Sequence, residues 1–197
     1  MATSTGTARE RILDAASDLF YREGIRAVGI DAIVAQSGVA KMTLYRHFAS
    51  KDDLIVAFLG QQNARHWRWF EAAVGETDMA PRTRIQKLFT ALAEKVRRPT
   101  YRGCPFNNTS TEFPGPDHPG WTIVREHKRR LRDEFMALAI AGQVGDPAAL
   151  VDDLLLLMDG AYISAQTLGP DGPSAHVAEA AARVLNGHFS TSHPEIG

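Results

Sequence analysis

Apolar side chains recur every three or four residues along almost the whole chain, which is the spacing of one buried face of an α-helix. Thr7 followed by Glu10 is a capping-box pair that marks a helix start, and Ser50 with Asp53 marks another. For the first part of the chain the pattern predicts helices at about residues 7–23, 30–37, 41–47 and 50–74.

The second part of the chain continues the helical spacing after a linker at residues 75–81. A fifth helix is predicted to end near Val96, and the Pro- and Gly-rich stretch that follows has room for one short helix after Cys104-Pro105. Three longer helices come next, two of which begin at Pro147 and Pro173, where the missing N–H costs no hydrogen bond. No segment alternates apolar and polar residues as a strand would. The sequence therefore predicts an all-α fold of about nine helices.

The composition limits the class of protein. A chain of 197 residues with 44% hydrophobic residues can bury a substantial core. Charged side chains interrupt the first segment, and no apolar run approaches the roughly 20 residues of a membrane span, so neither a secretory signal nor membrane contact is expected. A single cysteine cannot form an intramolecular disulfide or a thiolate zinc cluster. We therefore expect a soluble cytoplasmic protein.

The net charge of −1 says little about partners until it is divided along the chain. Residues 1–70 carry nine Lys and Arg against seven Asp and Glu, hence +2, which leaves −3 for the remainder. No acidic residue occurs from 32 to 51, whereas Lys41, Arg46 and Lys51 fall in this stretch. Because cations that displace the counterions of phosphate drive DNA binding, such a patch suits a DNA-binding segment, although a solvated helix end would look similar.

The two shortest predicted helices, at 30–37 and 41–47, are separated by a tight turn that contains Gly38. A three- or four-residue turn with glycine lets two helices cross steeply, so that the second can enter a DNA major groove while the first supports it. Short amphipathic helices joined at a glycine also occur in ordinary helical bundles. The apolar side that would pack on the first helix consists of Ile33, Val34, Leu44 and Phe48.

The other side of the second short helix offers the chemistry that DNA recognition uses. Lys and Arg can donate to guanine, Thr and Tyr hydroxyls can donate to phosphate, and Met can contact the thymine methyl group. The residues left for solvent or DNA on this side are Lys41, Met42, Thr43, Tyr45, Arg46 and His47.

Residues 9–59 resemble the N-terminal domain of TetR-family transcriptional regulators. The resemblance rests on R-x-x-I-L-D-A-A-x-x-L-F-x-x-x-G at 9–24, I-D-A-I-V-A-Q-S-G-V-A-K-M-T-L-Y-R-H-F at 30–48 and S-K-D-D-L at 50–54. It includes the T-L-Y-x-H-F core, which makes the match highly specific. It departs from the family at Gly29, where a Ser or Thr commonly caps the second helix.

The resemblance implies a homodimeric regulator, usually a repressor, whose third helix reads half of a palindromic operator in double-stranded DNA. The expected organisation is a disordered tail at 1–6, a helix-turn-helix domain at 7–50, a domain at 51–190 that dimerises and binds a small-molecule effector, and a second tail at 191–197. By position, the side chains implied to face bases are Lys41, Met42, Tyr45 and Arg46, and those implied to hold phosphates are Thr43, Tyr45, His47 and Lys51.

The second half of the chain is less diagnostic. The apolar run 154–158 with Ala161 and the small-residue helix 175–189 could form a four-helix interface with a second copy, or belong to the core of one chain. An effector pocket needs apolar walls with a few polar groups, and the aromatic residues favour a hydrophobic or planar effector. Core packing explains each candidate at least as well; the candidates are Trp67, Phe70, Leu88, Leu92, Phe106, Asn107, Ser110, Phe113, Trp121, His127, Met158, Tyr162 and Gln166.

An unusual motif, R-G-C-P-F-N-N at 102–108 followed by E-F-P at 112–114, lies between the predicted fifth and seventh helices. It resembles a signature that begins the sixth helix in one subgroup of TetR-like regulators, with Cys104 as the cap and Pro105 at the first helical position. A thiol at the positive end of a helix gains thiolate character, so Cys104 is a candidate sensor of oxidants or electrophiles. A buried thiol that only packs is the commoner case, and the chain has no second cysteine.

No catalytic or metal-binding constellation is evident. The sequence contains no Ser, His and Asp arrangement or carboxylate pair with catalytic spacing, so an enzyme is not expected. The histidines form no i,i+4 pair or compact ligand motif, so neither a metal nor another cofactor is expected. The alternative to a regulator is a helical small-molecule-binding protein with vestigial DNA binding.

Overall fold

The computed structural model describes residues 6–113, 115 and 117–189. Within these residues it contains nine α-helices, one 3₁₀ helix and no β-strand, which confirms the predicted all-α fold. The tails predicted at 1–6 and 191–197 lie outside the described residues except for Gly6, and so does Pro114 of the E-F-P segment. None of the described helices is long and apolar enough to cross a membrane. The helices are α1 (Ala8–Glu23), α2 (Ile30–Ser37), α3 (Lys41–His47), α4 (Lys51–Val74), α5 (Pro81–Val96), α6 (Pro105–Glu112), α7 (Gly120–Ala141), α8 (Pro147–Leu168) and α9 (Val177–Phe189).

Both predicted capping pairs are present at helix starts. Thr7 Oγ1 accepts from the N–H of Glu10 at 3.3 Å, and the N–H of Thr7 donates to the Glu10 carboxylate at 2.8 Å. Ser50 and Asp53 exchange the same two bonds at 3.0 and 3.1 Å before α4. Each pair satisfies two N–H groups that would otherwise lack a partner in the first turn, which fixes where α1 and α4 begin.

The start of the last helix differs from the sequence prediction. Pro173 opens a 3₁₀ helix, Pro173–His176, and α9 begins only at Val177. The N–H of Ala175 donates to the carbonyl of Gly172 at 2.9 Å, which is the three-residue spacing of the tighter helix. A turn of this kind is common at the N-terminus of an α-helix, and the apolar pattern cannot distinguish it from the α-helix that follows.

The described residues form two compact units. The first comprises the residues up to Arg65 together with Pro105–His127, and the second comprises His66–Cys104 and the residues from Lys128 onward. α4 and α7 therefore each contribute residues to both units. The division into a DNA-binding and a regulatory domain near residue 50 rests on the family resemblance and stays a prediction.

The core of the first unit is formed by the apolar sides of α1, α2, α3 and the beginning of α4. Ile33 and Leu44 are completely buried, and Phe48 is nearly so. Phe20 of α1 meets Phe58 of α4 edge to face, with ring centroids 5.6 Å apart. Burial of such a side chain contributes about 1.5–3 kcal/mol, so a few of these contacts hold α2 and α3 against α1.

The second unit has its own core, in which α5, α8 and α9 pack together. Leu88 and Leu92 of α5 and Met158 of α8 are completely buried there. Phe135 of α7 packs on Phe89 of α5, with ring centroids 6.2 Å apart. This core accounts for the helical spacing of apolar residues in the second half of the chain.

Leu44→Ala should destabilise the first unit, whereas Met42→Ala on the same helix should not. Leu44 is 0% exposed and Met42 is 75% exposed. Truncation of Leu44 removes buried contacts and leaves a cavity, at a cost of about 2–5 kcal/mol. The change at the exposed position should alter the free energy of unfolding by less than about 0.5 kcal/mol. Chemical denaturation followed by circular dichroism measures both, and equal stabilities would contradict the packing described.

Candidate functional site

The turn between α2 and α3 has the geometry of a helix-turn-helix. Gly38 ends α2 in the left-handed conformation, with φ 65° and ψ 26°, and its N–H donates to the carbonyl of Val34 at 3.1 Å. Residues with a Cβ rarely adopt this conformation, whereas glycine does so without strain. Val39 then turns inward and is buried, and α3 begins at Lys41. Three residues therefore suffice to redirect the chain.

The side of α3 opposite Leu44 carries most of the side chains predicted to contact DNA. Six of the seven lie on this helix, and the seventh, Lys51, is the first residue of α4. Arg46 Nη2 donates to Thr43 Oγ1 at 3.4 Å, so these two side chains are neighbours on the surface. Thr43 and Lys51 are half-buried, and the exposed members are Lys41, Met42, Tyr45, Arg46 and His47.

An acidic residue on α2 faces this cationic surface. Lys41 Nζ donates to Asp31 Oδ1 at 2.8 Å, and the side chains are 53% and 85% exposed. The hydrogen bond to Asp31 raises the pKa of Lys41 above its usual value, so the ammonium is fully charged at neutral pH. The sequence alone does not identify Asp31 as a partner of Lys41, because residues ten apart on two separate helices give no spacing signal. A Lys41 contact with DNA must compete with this carboxylate.

Lys51 occupies a different environment from the residues of α3. Its ammonium lies 5.9 Å from the centroid of the Phe20 ring, and burial lowers its pKa, while the charge of Glu112 acts in the opposite direction. Glu112 is the last residue of α6. Its carboxylate accepts from the N–H of Arg26 at 2.7 Å, and its carbonyl accepts from Arg26 Nη1 at 3.3 Å. α6 is thereby bonded to the loop between α1 and α2, a role for Glu112 that the motif alone did not reveal.

Six of the residues predicted to contact the effector lie in the first unit, and most of their observed contacts are with one another. Phe106 stacks on His127 with ring centroids 3.7 Å apart. Trp121 Nε1 donates to the carbonyl of Phe113 at 2.7 Å. The carbonyl of Asn107 accepts from Ser110 Oγ at 2.8 Å, and His127 Nδ1 lies 2.9 Å from Asn63 Oδ1. These contacts give each of the six residues a structural role in its own unit.

The predicted effector contacts in the second unit fall into two groups. Trp67 and Phe70 of α4 line a cavity of about 330 Å³. The cavity has charged residues on its rim and lies within the second unit. The other predicted effector residues of this unit do not line the cavity. Gln166 is exposed, and its side-chain amide donates to the carbonyl of Arg102 at 2.6 Å. The remaining four are buried: Leu88, Leu92, Met158 and Tyr162.

Cys104 is buried and lies directly before α6. Gly103 precedes it with φ 89°, a backbone conformation that requires glycine in the R-G-C motif, and a Cβ at this position would also displace the end of the Gln166 side chain. Lys95 lies close enough to interact with Cys104, and its ammonium sits 3.9 Å from the centroid of the Trp69 ring. Burial lowers the pKa of Lys95 to about 8.

The outer side of α8 is apolar. Leu156 is 74% exposed and Ile163, two turns later on the same side, is 56% exposed. A groove of about 490 Å³ runs along this side and is lined by Leu156 and Gly160 of α8 and by Val177 of α9, among others. Among the described residues, no group of three His, Cys, Asp or Glu side chains is arranged to hold a metal ion.

Known proteins share both the helix-turn-helix sequence and the complete fold. Residues 12–58 match the sequence profile of the bacterial regulatory proteins of the tetR family. A TetR-family transcriptional regulator from Streptomyces coelicolor is 35% identical, with a TM-score of 0.82 over 93% of this chain and 94% of that chain. A second structure, of a TetR regulator from Streptomyces avermitilis, is 29% identical with a TM-score of 0.82 over 93% and 98%.

A curated relative extends the same result. The HTH-type transcriptional regulator YjdC of Escherichia coli is 26% identical over 155 residues, which are 77% of this chain and 80% of that protein. The two structural matches each extend over 93% of this chain. This chain belongs to the TetR family of DNA-binding helix-turn-helix transcriptional regulators.

Proposed function

We propose that this protein is a cytoplasmic one-component repressor, and not an enzyme, that binds a palindromic operator as a homodimer and is released by a small hydrophobic or aromatic effector. The observation that carries the proposal is the division of α3 into a buried side at Leu44 and an exposed side with cationic, hydroxyl and thioether groups. An exposed helix of this composition, supported by a second helix across a tight turn, is suited to a major groove.

The proposed contacts follow the family resemblance and the chemistry of each side chain. Arg46 and Lys41 can donate to guanine, and Met42 can contact the thymine methyl group, with Tyr45 beside them. The phosphate contacts would come from Thr43, Tyr45, His47 and Lys51, which fix the register of the protein on the duplex. This assignment makes residues 7–50 the DNA-binding domain and 51–190 the regulatory domain.

The proposed dimer uses the apolar side of α8 together with α9. Exposed leucine and isoleucine side chains lie on this side of α8, next to the groove. A second copy of the chain would cover this apolar surface. Two α3 helices related by the twofold axis would then meet successive turns of the major groove, which is why the operator would be palindromic.

Release by an effector requires that it bind the DNA-incompetent state more tightly than the DNA-binding state. α4 runs from Lys51 beside the DNA-reading residues to the cavity at Trp67 and Phe70, so it contributes to both places.

We also assign the R-G-C-P-F-N-N segment at 102–108 to the signature of one TetR subgroup that the sequence resembles. The burial of Cys104 favours a packing role for this thiol over a sensing role. The cationic, hydroxyl and thioether side chains on the exposed side of α3 favour a DNA-binding domain over one that has lost DNA binding.

Arg46→Ala should weaken operator binding without affecting dimerisation. DNA from the region upstream of the protein's own gene should show a sequence-specific footprint with the natural protein. Loss of a bidentate contact to guanine should reduce the affinity by about 10- to 100-fold at fixed salt. Arg129→Ala, an exposed arginine on α7, is the matched control and should leave the footprint unchanged. Unchanged affinity of Arg46→Ala would contradict this contact, and the absence of any footprint would contradict operator binding.

Asp31→Asn should strengthen non-specific DNA binding and steepen its salt dependence. The substitution removes the carboxylate that holds Lys41, so this ammonium becomes available to a phosphate. The slope of log K against log salt should then increase in magnitude by about one. The comparison uses fluorescence anisotropy with unrelated duplex DNA at several salt concentrations, with Asp171→Asn in the second unit as the control. Equal slopes for the natural protein and Asp31→Asn would show that the Lys41–Asp31 pair does not regulate DNA contact.

Leu156→Glu should convert the dimer to a monomer. A charge placed in an apolar interface is desolvated without a partner, which costs more than such an interface gains at one position. Analytical ultracentrifugation measures the result. Met42→Glu introduces the same charge at an equally exposed apolar residue on α3 and should remain dimeric. A dimer that persists in Leu156→Glu would exclude this side of α8 as the interface.

A further inference from the structure

The cavity in the second unit combines an apolar wall with an unusual set of charges. Its volume is about 330 Å³. Trp67, Phe70 and Val74 of α4 and Leu138 of α7 line it and are themselves buried. The charged residues that line it are Glu71, Arg84, Arg130 and Glu134, two cations and two anions.

Three of these four charges already interact with each other. The guanidinium of Arg130 lies 3.8 Å from the centroid of the Trp67 ring. Arg130 Nε is 3.7 Å from a carboxylate oxygen of Glu134, and Arg130 Nη2 is 3.9 Å from one of Glu71. Arg130 therefore balances part of the negative charge at the rim and is held against the aromatic wall.

Arg84 is the fourth charge, and no acidic side chain in the part of the chain that the structure describes forms an ion pair with it. Its Nε is buried and has no hydrogen-bond acceptor, and no carboxylate of the described residues lies within 4.0 Å of its guanidinium. A buried N–H of a charged group that lacks an acceptor is unfavourable, and few native structures retain one without a reason. Beside the cavity, the planar guanidinium can present this Nε–H together with an Nη donor to a carboxylate, which can accept two parallel hydrogen bonds.

We propose that this cavity binds a monocarboxylate with a planar aromatic body, with the carboxylate on Arg84 and the ring against Trp67 and Phe70. The volume lies at the lower end of the range for small-molecule sites, which suits one or two fused rings. Glu71 and Glu134 at the same cavity disfavour a second negative charge on the ligand. The role of such a ligand as effector rests on the proposed function, whereas its binding does not.

The test measures binding to the full chain by isothermal titration calorimetry, without DNA. The probes are benzoate, 2-naphthoate and the neutral amide of each, which has the same shape without the charge. At least one acid should bind, and more tightly than its amide by about tenfold or more, because only the carboxylate forms charge-assisted hydrogen bonds with Arg84.

Variants of Arg84 separate recognition of the carboxylate from general attraction to positive charge. Arg84→Gln should remove the preference for the acid, and Arg84→Lys should retain only part of it, because an ammonium lacks the planar pair of donors. Arg129→Gln removes an exposed arginine from α7 and should leave the affinity unchanged. Equal binding of acid and amide by the natural protein, or equal acid affinity in Arg84→Gln, would overturn the proposal.

Thermal stability distinguishes a binding role of Arg84 from a structural one. If Arg84 has no protein partner, Arg84→Gln should leave the Tm of the ligand-free protein unchanged or raise it. A lower Tm together with unaltered probe affinity would assign Arg84 to the structure of the unit and overturn the proposal, as would the failure of every probe to bind at millimolar concentration. The operator footprint is a separate measurement, so a protein that binds DNA but none of the probes loses this inference and keeps the proposed function.

Discussion

The burial of Leu44 is the interaction on which the exposed surface of α3 depends. α3 has only seven residues and no side-chain cap at its start, and an isolated helix of this length is not stable in water. It exists because Leu44, with Val39 and Phe48 on either side, is anchored in the core of the first unit. The same anchoring points the remaining side chains outward, so a hydrophobic contact determines where the cationic groups lie. The sharp turn at Gly38 makes that arrangement possible within three residues.

The first unit is held together by polar contacts as well as by its core. Glu112 accepts hydrogen bonds from the backbone and side chain of Arg26, and its charge also acts on Lys51 at the start of α4. The loop before α2 and the beginning of α4 therefore share one carboxylate on α6. A displacement of α6 would act on both sides of the helix-turn-helix at once, whereas the core contacts of α3 would remain.

The sequence allowed accurate prediction of local structure, because caps, prolines and glycines act locally. The bounds of α2 and α3 and the caps of α1 and α4 were predicted from a few residues each. Contacts between distant residues were not predictable in the same way. Buried apolar residues at helical spacing look alike whether they fill a core or line a cavity, so only Trp67 and Phe70 of the predicted effector contacts reach the cavity. Asp31, Arg84 and Glu112 gave no spacing signal, since their importance comes from neighbours on other helices.

The segment Pro105–His127 belongs to the first unit, although about forty residues of the second unit separate it in the sequence from Arg65, where the first part of that unit ends. Its Glu112 bonds to the loop before α2, and a Cβ at Gly120 would come within 2.9 Å of Leu59 of α4. A recombination event that exchanges only the start of the gene would separate these partners. The first three helices are therefore not an independently exchangeable module, because a substitution that changes their contact surface also changes their fit to α6 and the loop that follows it.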